Sequence, residues 1–232
     1  MLHTRFTSAA TTKPPLPVWK VLFDRQTALL HRRATPAFGA GIAALGLSRE
    51  APPDLGKLEQ QLRQHSNWSL YPEATPLDCH DYFAALGARQ LPVVTGLRAA
   101  ADFDRKTEPD LFDDVFGRLP LLLEPEYAEF LAELGRLISA GAPAGRPGLL
   151  RFYRTTADFG TLAGPATDTK GAPPQVFGAR LLTSARHLHA AVAAPAGEMR
   201  SWADLHRALD AQRTALAATA SEAEPRLLAL AA

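Results

Sequence analysis

The sequence predicts a mainly α fold in a single domain, on three observations. Apolar residues recur at helical spacing through most of the chain, strand-like character is confined to one short run, and 232 residues supply one sizeable core. An opening stretch rich in Thr and Ser closes on Pro14, Pro15 and Pro17. It reads as an extended arm over 1–17, leaving 18–232 as the domain. Trp19, Leu22, Phe23, Leu29 and Leu30 then repeat at near-helical spacing, and Ala37–Leu47 and Leu55–Gln64 read as two further helices separated by Ala51-Pro52-Pro53. Asn67–Pro76 is rich in turn residues and Leu77–Leu86 is a short helix. Leu91–Thr95 is the best strand, with a proline that suits an edge. Thr107 is placed to cap the next helix, with Asp110 closing the capping box. That helix is expected to run to about Phe116 and stop at Gly117, with Pro120 beyond. Tyr127, Phe130, Leu131, Leu134 and Ile138 form the clearest apolar stripe. A Gly/Pro loop over Gly141–Gly148 leads to a helix over Leu149–Phe159, a connection over Gly160–Pro174, and helices over Phe177–Val192 and Trp202–Ala218.

Composition narrows the function classes. Lys and Arg number 25 against 24 Asp and Glu, so no global field argues for nucleic acid or an anionic membrane. No apolar run approaches the roughly 18 residues of a membrane span, and the first twelve residues lack the apolar stretch of a signal peptide. A cytoplasmic protein is expected, with a small molecule as its partner. One cysteine, Cys79, excludes an internal disulfide framework and a Cys-rich zinc site. Cys79 and His80 are adjacent on a helix and do not form a nucleophile–base pair. His187 and His189, two apart on a helix, are poor metal partners. No phosphate loop, dinucleotide fingerprint or serine-nucleophile elbow is present.

Five ordered segments carry a resemblance. They are WKVLFDRQTALLHRRATPAFGAGIAALGL from Trp19, YFAALGARQLPVVTGLR from Tyr82, EPDLFDDVFGRLP from Glu108 followed by LLLEPEYAEF, YRTTADFG from Tyr153, and FGARLLTS from Phe177. Together they resemble the catalytic domain of the pterin-dependent aromatic amino acid hydroxylases, nearest to the bacterial phenylalanine 4-monooxygenases. The resemblance implies a single hydroxylase-like catalytic domain with little β structure. It also implies Fe(II) held by two histidines and one carboxylate, a ligand set that leaves positions open for oxygen and pterin.

The family motif runs EPD, two residues, His-Asp/Glu, two residues, Gly-His, one residue, Pro. Asp113 takes the first histidine position here, Arg118 the second, and Asp158 the place of the family's glutamate. Residues 113 and 118 lie about 140° apart on an ideal helix, so they converge only if the helix ends between them. Iron is therefore not expected, and no metal site is assigned. Two readings of the trio stay open. Arg118 could bridge Asp113 and Asp158 in the electrostatic place of the metal, or the aspartates could bind a hard cation such as Mg²⁺.

The resemblance also places a substrate cleft. Arg98 matches the arginine that holds the substrate carboxylate, Asp110 its acidic partner, and Thr183 and Ser184 the small hydroxyl pair. Pro109, Tyr153 and Phe159 fit as well. Arg154 replaces a tryptophan and Arg180 a glycine, so the cleft is either anion-friendly or these two arginines turn outward. Leu77, Cys79, Tyr82 and Asp114 fall on the pterin side, where Tyr82 could stack on a flat ring; pterin binding stays open. Three functions follow. One is an enzyme of changed chemistry with Asp113 or Asp158 as base. The second is a non-catalytic binding or regulatory protein, and the third a monooxygenase with an unusual metal site. A monomer is expected, since no long association segment follows the helix at 202–218.

Overall fold

The computed structural model describes residues 16–103, 108–141, 145–164, 173–193 and 199–230, with the side chains of 16–17, 192–193 and 219–230 outside that description. Thr107, most of the 1–17 arm and much of the Gly160–Pro174 connection therefore lie outside the described residues. The fold is mainly α. Helix α1 (Leu16–Leu30) starts inside the expected arm, because a proline is tolerated in the first helical turn. It buries Trp19 and Leu22. Trp19 lies edge-on to Phe112 at 5.4 Å, and Phe112 stacks on Phe116 at 4.6 Å. The Gln26 amide donates to the Leu182 carbonyl at 2.9 Å and ties α1 to the far end of the chain.

Helices α2 (Pro36–Ala44) and α3 (Leu55–His65) follow close to expectation, α3 capped by Asp54 through the Lys57 N–H. Strand β1 (Ser69–Glu73) comes next, in the segment read as turns. It pairs in parallel with β2 (Gln90–Val94), with Tyr71 opposite Pro92 and Pro72 opposite Val93. Both strands are edges of a two-stranded ribbon, so a proline in each can turn its donor-less nitrogen to the outer side. The crossover that parallel strands require is α4 (Cys79–Gly87), capped by Asp78, and it packs against α5 (Pro125–Ala140). The predicted stripe on α5 is buried throughout: Tyr127, Phe130, Leu131, Leu134 and Ile138.

Two wide π-helical turns break the α pattern. One covers Asp113–Arg118 and runs directly into a 3₁₀ turn at Leu119–Leu123. The other, Arg154–Asp158, continues α6 (Arg146–Tyr153). Short strands β3 (Thr161–Leu162) and β4 (Gln175–Val176) pair antiparallel and lead to α7 (Ala179–Thr183). The single helix expected over 177–192 is instead split. Ser184 is extended, and its hydroxyl accepts the His187 N–H at 3.4 Å as the cap of α8 (Ala185–Ala193). Helix α9 (Trp202–Leu230) runs twelve residues beyond its expected end. Among the described residues no helix is long and apolar enough to cross a membrane.

Candidate functional site

The first π-turn sets the site. Asp110 caps the helix by accepting the Asp113 N–H at 3.1 Å, which puts the cap three residues later than the sequence suggested. The helix does not stop at Gly117. A π-turn closes hydrogen bonds from i to i+5, so residues 113 and 118 approach each other without the helix ending between them. Both line one small cavity of about 10 Å³ with Pro109, Ala179, Arg180 and Thr183. That volume is about one water. The turn packs against α7, and a Cβ on Gly117 would lie 2.5 Å from Thr183 Cγ2. A side chain at 117 would push α7 away.

Arg118 is 8% exposed, so its charge must be answered locally. Its guanidinium donates to Asp114 at 2.7 Å and to Asp158 at 3.2 Å. The expected bridge from Asp113 to Asp158 is thus corrected at one end. Asp114 sits one helical turn before Arg118 and faces it, while Asp113 turns toward Arg98 and accepts from it at 3.1 Å. Arg98 also grips Asp110 with two donors at 2.7 and 3.0 Å, and its backbone N–H adds a third bond at 3.0 Å. Asp113 and Asp158 thus accept from different guanidiniums. Asp114 additionally accepts the Val94 N–H at 2.9 Å, which joins the network to β2.

Burial alone would push the Arg118 pKa down, but Tyr82, Tyr153, Asp114 and Asp158 together hold it well above its ordinary value. Burial also pushes the phenols of Tyr153 and Tyr82 up, and their hydroxyls meet at 2.9 Å. An always-charged guanidinium flanked by neutral phenols results.

The remaining sequence candidates divide. Arg154 is exposed and is not among the residues that border the 410 Å³ cleft beside the network. Arg180 faces the cleft, with Nε 4.0 Å from Asp158. The Thr183 hydroxyl donates to the Ala179 carbonyl at 2.9 Å. Tyr153 is buried beside Tyr82 and Phe83, and Phe159 lies edge-on to His187 at 5.2 Å. On the expected pterin side, Leu77 is half-buried and Cys79 exposed, while Asp114 is already engaged by Arg118.

A larger cleft of about 410 Å³ opens beside this network, between α1, the segment at Arg98–Phe103, α7 and α8. Arg25, Arg98, Arg180, Arg186, His187 and His189 border it. The sequence reading missed Arg25, Gln26, Phe103 and Arg186 and dismissed the two histidines. One signal was available: no acidic residue lies between Asp168 and Glu198, a stretch that carries Arg180, Arg186, His187 and His189. Among the described residues no group of three or more His, Cys, Asp or Glu is arranged to hold a metal ion. At the positions where the resemblance puts iron ligands, the guanidinium of Arg118 offers donors and no lone pair.

A sequence model described as "Biopterin-dependent aromatic amino acid hydroxylase" matches residues 7–219. Phenylalanine-4-hydroxylase of Chromobacterium violaceum is 34% identical over 169 residues, which cover 72% of this chain and 54% of that protein. The Ralstonia nicotianae phenylalanine-4-hydroxylase is 34% identical over 152 residues, 64% of this chain and 48% of that one. The chain thus spans about half the length of the curated relatives it matches. In three dimensions it resembles phenylalanine hydroxylase of Legionella pneumophila, with a TM-score of 0.73 and 25% identity over 82% of this chain and 83% of that one. The Chromobacterium violaceum enzyme with bound Fe(III) gives a TM-score of 0.70 at 30% identity, covering 77% and 63%.

Proposed function

Because the chain belongs to the biopterin-dependent aromatic amino acid hydroxylase family, we propose that it is a divergent homologue that has given up the iron site and binds a small aromatic or anionic molecule without it. One observation carries this reading. The Arg118 guanidinium, buried and bonded to Asp114 and Asp158, occupies the place where the family resemblance puts a histidine ligand. A cation there would be repelled by a charge that cannot be titrated away. The aspartates at 113 and 158 direct oxygens to Arg98 and Arg118, which also leaves Mg²⁺ little to bind.

The same arrangement favours a binding or regulatory role over catalysis. A general base needs hydrogen-bond reach to a substrate proton. Asp158 is held by Arg118 at 3.2 Å with Arg180 at 4.0 Å, and the cavity between Asp113 and Arg118 has about the volume of one water. The chain's own residues bind and orient: Arg98 is fixed by Asp110 and Asp113 at the cleft wall, and Arg180 and Ser184 stand along it.

The test is iron content after anaerobic Fe(II) loading, followed by a tetrahydropterin-dependent assay for tyrosine from phenylalanine. No stoichiometric iron and no tyrosine are expected. One tightly bound iron per chain with tyrosine formation would overturn the proposal and restore the monooxygenase reading named by the relatives.

A further inference from the structure

We propose that the ligand of the 410 Å³ cleft is a small molecule carrying at least two negative charges, such as a dicarboxylate or a phosphorylated metabolite, bound between Arg180 and Arg186 with Arg25 and Arg98 at the wall. The inference deepens the proposed function and rests on it for the claim that this cleft is where the chain binds its ligand. The volume lies within the range of small-molecule sites. Four arginines and two histidines border it, and among the described residues no carboxylate does. Like charges gathered around a concave, partly desolvated surface raise the local potential and draw in the opposite charge.

The individual groups support a ligand of that kind. Arg98 is neutralised by Asp110 and Asp113. Arg180 has Asp158 at 4.0 Å, too far for a hydrogen bond. Arg186 is exposed and has no ion pair among the described residues. His187 carries a ring nitrogen, Nδ1, that is shielded from solvent and has no hydrogen-bond partner among the described residues. Burial lowers the His187 pKa first, and Arg180, Arg186 and Arg154 lower it further, with Asp158 opposing. Among the described residues Arg186 thus brings an unpaired charge to the cleft, and Arg180 one held only loosely by Asp158 at 4.0 Å. A zwitterionic amino acid would place an ammonium group in this field, whereas a dianion would be held at both ends. Planar guanidinium forks suit carboxylate and phosphate oxygens alike.

Calorimetric titration of the full chain at pH 7 and fixed ionic strength tests this. The probes are citrate and inorganic pyrophosphate, with acetate and L-phenylalanine as the singly charged and zwitterionic controls. At least one polyanion should bind tenfold or more tightly than acetate and phenylalanine, and the better of the two tells carboxylate from phosphate chemistry. Arg180→Gln and Arg186→Gln should each weaken that binding about tenfold, the loss of one charge-assisted contact. Arg213→Gln removes the same charge from the exposed face of α9, away from the cleft, and should leave the affinity within twofold. Absence of polyanion binding, phenylalanine binding as tightly, or equal weakening by Arg213→Gln would each overturn the inference. Iron content and hydroxylation are read separately, so either proposal can fail while the other's measurement stands. Arg186 is exposed, so its variant should fold and keep the test decisive.

Discussion

In the network around the first π-turn, Arg98 and Arg118 are buried against Asp110, Asp113, Asp114 and Asp158. In the cleft next to it, Arg180 and Arg186 border a space that no described carboxylate lines. The residue type is the same and its consequences differ. A buried guanidinium with carboxylates on its donors is a structural element, because removing it strands their charge in a poor solvent. A guanidinium at a cleft wall whose carboxylate stands beyond hydrogen-bond reach, as at Arg180, or that has none among the described residues, as at Arg186, is still hydrated, contributes little to folding, and leaves donors available to a ligand.

Arg118→Ala is the strongest way to break this contrast. It would leave Asp114 and Asp158 buried without their shared counter-ion and should cost about 3–5 kcal/mol. Arg186→Ala should stay within about 0.5 kcal/mol of the parent. Urea denaturation of both at neutral pH is the measurement, and similar losses would erase the distinction. Arg118→Lys should recover part of the loss at best, since a point charge cannot fork between two carboxylates.

A smaller effect probes how the network is positioned. A Cβ on Gly178 would lie 2.5 Å from the Asp158 carbonyl oxygen, so the chain after the second π-turn and the chain entering α7 touch backbone to backbone. Gly178→Ala should cost about 1–3 kcal/mol through overpacking. It should also loosen the hold of Arg118 on Asp158, so that Asp158→Asn costs less in the Gly178→Ala background than in the parent. Equal costs in both backgrounds would show that the network tolerates movement of α7.

The smallest effect belongs to the cleft. Unfolded His187 takes its proton near pH 6.5, and the folded residue does so at lower pH because burial and the neighbouring arginines oppose the charge. The unfolded state therefore binds more protons in that window. The His187 contribution to stability is full above pH 6.5 and lost as pH falls through the lowered value. An NMR titration of the His187 ring should show this lowered midpoint, and a saturating polyanion should raise it. A midpoint at or above 6.5 without ligand would mean the arginines are more screened than their placement implies.

Much of the helical framework was legible in the sequence, as the α5 stripe from Tyr127 to Ile138 shows, because burial imposes its period directly on the residues. Strand β1 was not, since Pro72 and the surrounding turn residues carry no alternation and the strand exists through its pairing with β2. The break at Ser184 had a signal in a hydroxyl residue that can cap, but the apolar period runs through it. Within the site, Asp113, Arg118 and Asp158 were singled out through the family resemblance, whereas the partner of Arg118 could not be read from it. Choosing Asp114 over Asp113 depends on where each carboxylate faces in a wide turn, and helical spacing assumes a narrow one. The cleft escaped notice because its arginines come from α1, the Arg98 segment, α7 and α8, and only folding gathers them.

In the wide turn at Asp113–Arg118 the i to i+5 bonds join backbone groups, so the widened path of the chain is drawn by bonds that the side chains at its two ends do not make, while those side chains set how firmly it is held. The turn behaves as a socket whose pins can be exchanged. Substitutions at 113 and 118 can change the chemistry the socket presents without a new fold having to be found, which makes such a turn a place where a protein lineage can lose one occupation and take up another.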